Sequence, residues 1–415
     1  MICLKCGQAI KITTMKGIKK RNIILVTFLL MALPGARAQQ KGMRQLIKEN
    51  MFFAAKQYKV LQQNTPDSLM PKTFDPLTNK FSTSNTQWWC SGFYPGTLWY
   101  VYEYTKDASV RKEAEKRLAI LKKEQYYTGN HDLGFMMFCS FGNAYRITRD
   151  AVYKDVLFKS AASLATRYRP SIKAIQSWDS NEELKCPVII DNMMNLELLN
   201  WVSDNGGEKR FKEIAVTHAN TTLQNHFRSD NSSYHVIDYD IKTGNVLKKL
   251  TWQGAADSSA WARGQAWGLY GYTIMYRFTK NKVYLEQAQK IAAFILNNPN
   301  LPSDKIPYWD FNAPGIPNTY RDASAAAVMA SAFLELGQYV DKQEQNKLVA
   351  TAEIILRNLA SEKYRAKLGE NGGFILKHSV GSLPHKSEVD APLTYADYYF
   401  IESLMRYKKW YLESE

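Results

Sequence analysis

Cysteine is scarce in this 415-residue chain, which has five, and Cys3 and Cys6 stand within its first fourteen residues. The other three, Cys90, Cys139 and Cys186, are odd in number and widely spaced, so they read as small buried residues rather than a disulfide framework. No second pair at zinc spacing accompanies Cys3-x-x-Cys6, and no two of the six histidines stand four residues apart. A metal site therefore has no support, and His131 and His235 have no ligand cluster nearby in sequence. The chain lacks a G-x-S-x-G elbow, which removes one route to Ser-His-Asp chemistry. It also lacks a Lys/Arg run of the kind found in nucleic-acid-binding arms, so nucleic acid is not an expected partner.

The formal charge of +15 is concentrated at the start, where residues 1–38 carry seven basic side chains and no acids. Lys19-Lys20-Arg21, the apolar stretch Ile23–Leu33 and Ala36-Arg37-Ala38 have the layout of a secretory signal peptide. That stretch is too short for a permanent bilayer span, and no cysteine near the cut could accept a lipid. The expectation is a signal peptide over 1–38, with Met15 an alternative start, and one catalytic domain over 39–415. The protein would be exported to the periplasm without a membrane anchor. The mature chain would keep +8, which suits an anionic ligand.

Beyond residue 40, apolar residues recur at three- and four-residue spacing in 43–63, 110–123, 211–227, 284–297 and 348–359, the signature of amphipathic helices. Strand alternation is scarce; 233–239, followed by Lys242-Thr243-Gly244-Asn245, reads as a small β-hairpin insertion. A junction between an aromatic-rich helix and a charged one recurs at Glu103–Asp107, Arg146–Asp150 and Arg277–Asn281, with looser copies at Trp201–Asn205 and Gln338–Lys342. Each supplies a turn and a cap for the next helix. Five hairpins follow, and a sixth if the helix over 392–411 packs beside 43–63. The fold class is then all-α, an (α/α)6 barrel, with uneven spacing that marks a closed ring with inserted loops.

In such a ring the Gly-, Ala- and aromatic-rich helices line the inside, and their N-termini open on one end, where helix dipoles favour a bound carboxylate. The segments leading into them hold Trp88-Trp89, His131-Asp132, Trp178-Asp179, Asp191-Asn192, His235, Trp252-Gln253, Trp261-x-Arg263, Tyr308-Trp309-Asp310 and Arg321-Asp322. Aromatic faces beside carboxylates and amides are what a sugar pocket needs. Asp191 stands between Pro187-Val-Ile-Ile190 and Met193-Met194, an apolar setting that opposes ionisation and suits a general acid. Pattern alone leans toward a helix cap for Asp191, and likewise for Asp132 ahead of Leu133. His235 alone fits a local hydrogen bond as well as a ligand contact.

At these residues the chain resembles the unsaturated glucuronyl hydrolases, glycoside hydrolase family 88. The resemblance runs from Trp88 to Tyr399, through His131–Phe135, Ile190–Asn195, Trp261–Gly268, Arg321–Ser324, Ser387–Asp390 and Tyr395–Tyr399. It implies an (α/α)6 barrel, no metal or organic cofactor, and an unsaturated acidic di- or oligosaccharide as substrate. It also implies that Asp191 is the general acid/base and Asp132 the second essential carboxylate. Trp178, His235, Gln253, Trp261 and Arg263 would line the subsite of the unsaturated sugar. His131 and Ser387 are further candidates, and Trp88 or Trp89 an aromatic platform.

The chemistry so implied is hydration of an enol ether. A proton delivered to C4 creates an oxocarbenium-like centre at C5, water adds there, and the hemiketal opens. Three alternatives stand beside it: an unsaturated rhamnogalacturonyl hydrolase, a toroidal lyase using Tyr234 and His235, and a non-catalytic helical sugar-binding protein. The basic residues Lys377, His378, His385 and Lys386 precede the final inner helix and could meet a sulfate or carboxylate or remain solvated. The charge and exported context favour glycosaminoglycan fragments; the oligomeric state is left open between monomer and dimer.

Overall fold

The computed structural model describes residues 42–413; the expected signal peptide, Met15 and Cys3-x-x-Cys6 lie outside the described residues. Among the described residues, twelve α-helices alternate between an outer and an inner layer. The outer set is α1 (Met43–Asn64), α3 (Ala108–Leu121), α5 (Ala151–Ala165), α7 (Lys209–Asn225), α9 (Lys282–Asn297) and α11 (Lys342–Leu359). The inner set is α2 (Phe93–Thr105), α4 (Asn143–Thr148) with a π-helical segment Gly134–Gly142 ahead of it, α6 (Asn192–Asp204), α8 (Ala262–Thr279), α10 (Ala323–Leu336) and α12 (Thr394–Tyr407). Each inner helix packs on its two inner neighbours, and α12 closes back on α2. α1 packs against α2 and α12, completing the sixth hairpin as the sequence suggested.

Side-chain size explains the layering. All fourteen residues of α10, Ala-Ser-Ala-Ala-Ala-Val-Met-Ala-Ser-Ala-Phe-Leu-Glu-Leu, are buried, and small residues let its neighbours approach from every side. Gly271 in α8 shows how close the ring is drawn, since an added Cβ would sit 2.4 Å from the Cβ of Met193. α9, by contrast, buries only the stripe Tyr284, Gln287, Ala288, Ile291, Ala292 and Ile295, as an outer amphipathic helix should.

The repeated junction has a common construction. Thr105, Thr148 and Thr279 each accept from the backbone N–H two residues on, and Asp107, Asp150 and Asn281 then cap α3, α5 and α9. Lys106, Arg149 and Lys280 between them take the left-handed conformation that ends the inner helix. The looser copies diverge: Asp341 caps α11, whereas Glu208 ahead of α7 makes no side-chain cap.

The strand content is larger than the single hairpin expected. Four small sheets occur among the described residues: β1 (Met70–Asp75) with β2 (Lys80–Ser84), β3 (Tyr168–Arg169) with β4 (Ala174–Ile175), a three-stranded sheet of β5 (Pro187–Ile189), β6 (Val236–Tyr239) and β7 (Val246–Leu250), and β8 (Ser379–Ser382) with β9 (Ser387–Ala391). The expected hairpin is β6–β7, and β5 joins it in antiparallel register. β5 is three residues long, too short to show alternation against its apolar surroundings.

Candidate active site

β5 delivers Asp191 to the barrel mouth. Ile190 donates its N–H to the His235 carbonyl at 3.0 Å, tying the start of α6 to the loop before β6. Asp191 then occupies the N-cap position of α6, yet its side chain caps nothing. This separates it from Asp322, which accepts from Ser324 and Ala325 N–H at the head of α10. Asp191 is 8% exposed, and its Oδ2 is buried without a hydrogen-bond partner. Burial pushes its carboxyl up to about 7, against a pull downward from the Arg263 charge.

Asp132 lies on the neighbouring inner element, just ahead of the π-helical segment, and it caps no helix either; the cap there is Leu133. Burial and the charge of Asp191 push Asp132 up to about 8, while Asn195 favours its ionised form. Two carboxyl groups in one apolar pocket thus compete for a proton near neutrality. Asp397, also raised to about 7 by burial, shows that such a shift does not by itself mark a catalyst. Both Asp397 oxygens are taken, by Tyr58, Ile375 and Leu376.

Two histidines flank the pair. His131 Nε2 is 3.5 Å from Asp132 Oδ1, and His235 Nε2 is 3.6 Å from Asp191 Oδ2. Burial holds both rings neutral, driving His131 well below its usual range and His235 to about 3. The His235 tautomer follows from its partners. Trp252 and Gln253 both donate backbone N–H groups to its Nδ1 at 3.1 Å, so the ring proton resides on Nε2 and faces Asp191.

Arg263 is 1% exposed. Its Nη1 donates to Asp322 at 2.8 Å and to the Val380 carbonyl, and its Nη2 to the Gly381 carbonyl and Gln253 Oε1. The guanidinium fork is therefore committed within the protein, leaving Nε without a partner, and Gln253 is partly spent holding it. The Trp261 ring lies 4.5 Å from that of His235, and the Arg263 guanidinium lies over it at 4.5 Å. Ser387 begins β9, the partner of the strand whose carbonyls hold Arg263.

The tryptophan doublet splits. Trp88 is 38% exposed with Lys72 over its ring at 4.3 Å, whereas Trp89 is half-buried between Phe93, Phe135 and Tyr395. Trp178 lies 6.2 Å from Trp252, which in turn faces His385 at 5.4 Å. Of the basic loop, His378 is engaged with Asp390 at 2.7 Å and His385 with Ser382 at 2.7 Å. Three residues that the sequence placed in lead-in or motif segments without assigning them a role matter to this geometry. Asp322 anchors Arg263; Asp310 holds the Trp252-Gln253 loop through Ala255 and Ser259; Asn195 links α6 to the π-helical segment. The position of Asn195 four residues after Asp191, on the same helix face, was a signal for it.

A six-hairpin barrel whose mouth holds a buried, uncapped carboxyl pair among tryptophans belongs to the helical-barrel glycosidases. No family model matches the chain. It is 44% identical over 362 residues to an unsaturated glucuronyl hydrolase of Formosa agariphila, covering 86% of this chain and 88% of that one. The crystal structure of an unsaturated glucuronyl hydrolase specific for heparin superposes with a TM-score of 0.86 at 47% identity, over 89% of this chain and 98% of that one. A mutant Streptococcus agalactiae unsaturated glucuronyl hydrolase complexed with dGlcA-GalNAc6S gives 0.75 at 29% identity, over 88% and 92%. The chain belongs to the unsaturated glucuronyl hydrolases.

Among the described residues no group of three or more His, Cys, Asp and Glu is arranged to hold a metal, and no helix is long and apolar enough to cross a membrane.

Proposed function

We propose that this enzyme removes the 4,5-unsaturated uronic acid from the non-reducing end of glycosaminoglycan-derived oligosaccharides, with Asp191 as proton donor. The observation that carries this reading is the state of Asp191: helix-capping position, no capping bond, a buried free oxygen and a raised pKa. Its proton passes to C4 of the enol ether. The oxocarbenium-like charge left at C5 is met by water, whose proton returns to the Asp191 carboxylate. The C5 hemiketal opens to a ketone, and the hemiacetal so formed at C1 collapses to an aldehyde, releasing the neighbouring sugar with the glycosidic oxygen. No nucleophilic carboxylate is required, unlike the retaining and inverting schemes.

The donor form needs the proton on Asp191 and the charge on Asp132. A uronate entering the pocket offsets the positive field of Arg263, the influence that otherwise draws Asp191 down. His235 is locked as an Nε2–H donor and so cannot abstract a C5 proton, which argues against the lyase alternative. Trp178, Trp261 and one of Trp88 and Trp89 serve as ring platforms, and His131, His235, Gln253, Arg263 and Ser387 as polar lining. Export to the periplasm through the 1–38 segment goes with this role, and cell fractionation tests it. Purified protein mixed with an unsaturated disaccharide should abolish its ultraviolet absorbance; unchanged absorbance would leave a binding protein. Rates on sulfated and unsulfated disaccharides assign the parent polymer.

A further inference from the structure

We propose that Asp310 is a positioning residue for the reaction: it anchors the loop whose backbone fixes the tautomer of His235, so that His235 leaves the Asp191 proton to the substrate. The inference rests on the role proposed above for Asp191 and adds what keeps its neighbour from holding that proton. Asp310 lies between α9 and α10 and is fully buried. Its Oδ2 accepts the Ala255 N–H at 2.9 Å and the Ser259 hydroxyl at 2.7 Å, and its Oδ1 accepts the Asn312 N–H at 2.8 Å.

The anchor is firm because the backbone around Asp310 is itself paired. Trp261 and Asp310 form an antiparallel bridge, Ala262 donates to the Trp309 carbonyl at 3.1 Å, and Phe311 donates to the Ala260 carbonyl at 2.9 Å. Asp310 is thereby fixed to the lead-in of α8, the helix that carries Arg263. The loop is drawn tight over it. Ala256 donates its N–H to Ser259 Oγ at 3.0 Å, and Gly254 donates to Thr251 Oγ1 at 2.8 Å. A Cβ on Gly254 would lie 2.5 Å from Thr251 Oγ1 and 3.0 Å from Asp310 Oδ2, so the chain passes directly beside the carboxylate.

Just before Ala255 the same loop meets His235. The Trp252 and Gln253 N–H groups both reach Nδ1 at 3.1 Å. Nε2 is buried without a hydrogen-bond partner among the described residues, 3.6 Å from the equally unpartnered Asp191 Oδ2. That spacing makes the tautomer matter. With its proton on Nε2, the ring offers no lone pair to Asp191, and the carboxyl proton stays available to C4. With its proton on Nδ1, the bare Nε2 would accept a hydrogen bond from that carboxyl and hold the proton back. The other charged or titratable groups around His235 are engaged elsewhere: Arg263 with Asp322 and the Val380 and Gly381 carbonyls, His226 with the Val188 carbonyl, and His385 with Ser382. The choice of tautomer therefore falls to the loop, and the place of the loop to Asp310.

The test uses Asp310→Ala and two readouts. The first is kcat on an unsaturated disaccharide, which should fall by about 10- to 100-fold, the scale of a small misplacement remote from the chemistry. The second is nitrogen NMR of protein labelled with 15N-histidine and free of substrate, with the His235 signals assigned from His235→Gln. The parent should show a protonated Nε2 and a bare Nδ1, and Asp310→Ala should shift the ring toward a protonated Nδ1. A loss of activity through general loosening of the fold would leave that signature unmoved. The wild-type tautomer in folded Asp310→Ala, an altered tautomer with wild-type kcat, or a protonated Nδ1 in the parent would each overturn the proposal. Should Asp310→Ala fail to fold, Ser259→Ala, which strips the side-chain tie between loop and carboxylate, decides by the same two readouts. Asp191→Asn run in parallel separates the two claims: turnover there would overturn the reading of Asp191, whereas an unmoved tautomer in Asp310→Ala overturns this proposal alone.

Discussion

The barrel has carboxylates withdrawn from solvent at both ends, and the Asp132–Asp191 pair at the mouth and Glu335 at the far end are treated oppositely. At the mouth, Asp132 and Asp191 are raised by burial, and no cation is paired with either. At the far end, where the inner helices finish, Glu335 is more deeply buried, at 1% exposed against 8% for Asp191, yet the Arg277 and Arg406 charges overcome the cost of burial and hold it below its usual range. Arg277 donates to Glu335 through Nε and Nη2 at 2.6 and 2.9 Å, and Arg406 lies 2.9 Å away. Glu402 beside them accepts from Tyr100, Tyr270 and Ser331. Burial therefore leads to a proton reservoir where partners are withheld, and to an ion-paired clasp across α8, α10 and α12 where they are supplied.

The contrast breaks most visibly in rate. Asp191→Asn should lower kcat by about 10²–10⁴-fold, the range of general acid catalysis, while preserving the fold, measured by loss of ultraviolet absorbance. The far end should respond in stability instead. Glu335→Ala leaves Arg277 and Arg406 without their shared carboxylate and should cost about 3–5 kcal/mol in denaturant unfolding, with kcat/KM of the folded protein close to wild type.

The pH dependence of stability gives the next effect. The folded pKa values of Asp191 and Asp132 stand above the unfolded value of 3.8, so their favourable contribution is complete below about pH 4 and is lost as pH rises through about 7 to 8. Asp191→Asn should therefore gain on wild type across that window by up to a few kcal/mol, seen as diverging thermal midpoints. Smallest is the cap comparison. Asp107→Ala removes a true cap and should cost about 1 kcal/mol, whereas Asp191→Asn, which removes none, should cost nothing at acid pH.

The ring itself was legible because its information is local. Amphipathic spacing marked α1, α3, α7, α9 and α11, and the Thr-Lys-Asp type of junction marked the turns at Asp107, Asp150 and Asn281. The small sheets were mostly missed, since strands such as Tyr168–Arg169 are two residues long and their pairing is set by contacts distant in sequence. The site was legible as a list of lead-in residues but not as an arrangement. Pattern leaned toward a cap for Asp191 because it does stand at the N-cap position; only the direction of its side chain says otherwise. Likewise, nothing near Arg263 in sequence shows that its guanidinium is taken by Asp322 at the head of α10 and by the Val380 and Gly381 carbonyls of a hairpin more than a hundred residues away.

The most direct test of the account follows the wild-type reaction and Asp191→Asn by time-resolved NMR in D2O with an unsaturated glycosaminoglycan disaccharide. The account predicts that the vinyl H4 signal of wild type disappears as the neighbouring sugar is released, with one deuteron first appearing at C4, and that Asp191→Asn shows neither change. Release of the neighbouring sugar with the double bond intact, or turnover by Asp191→Asn, would contradict it.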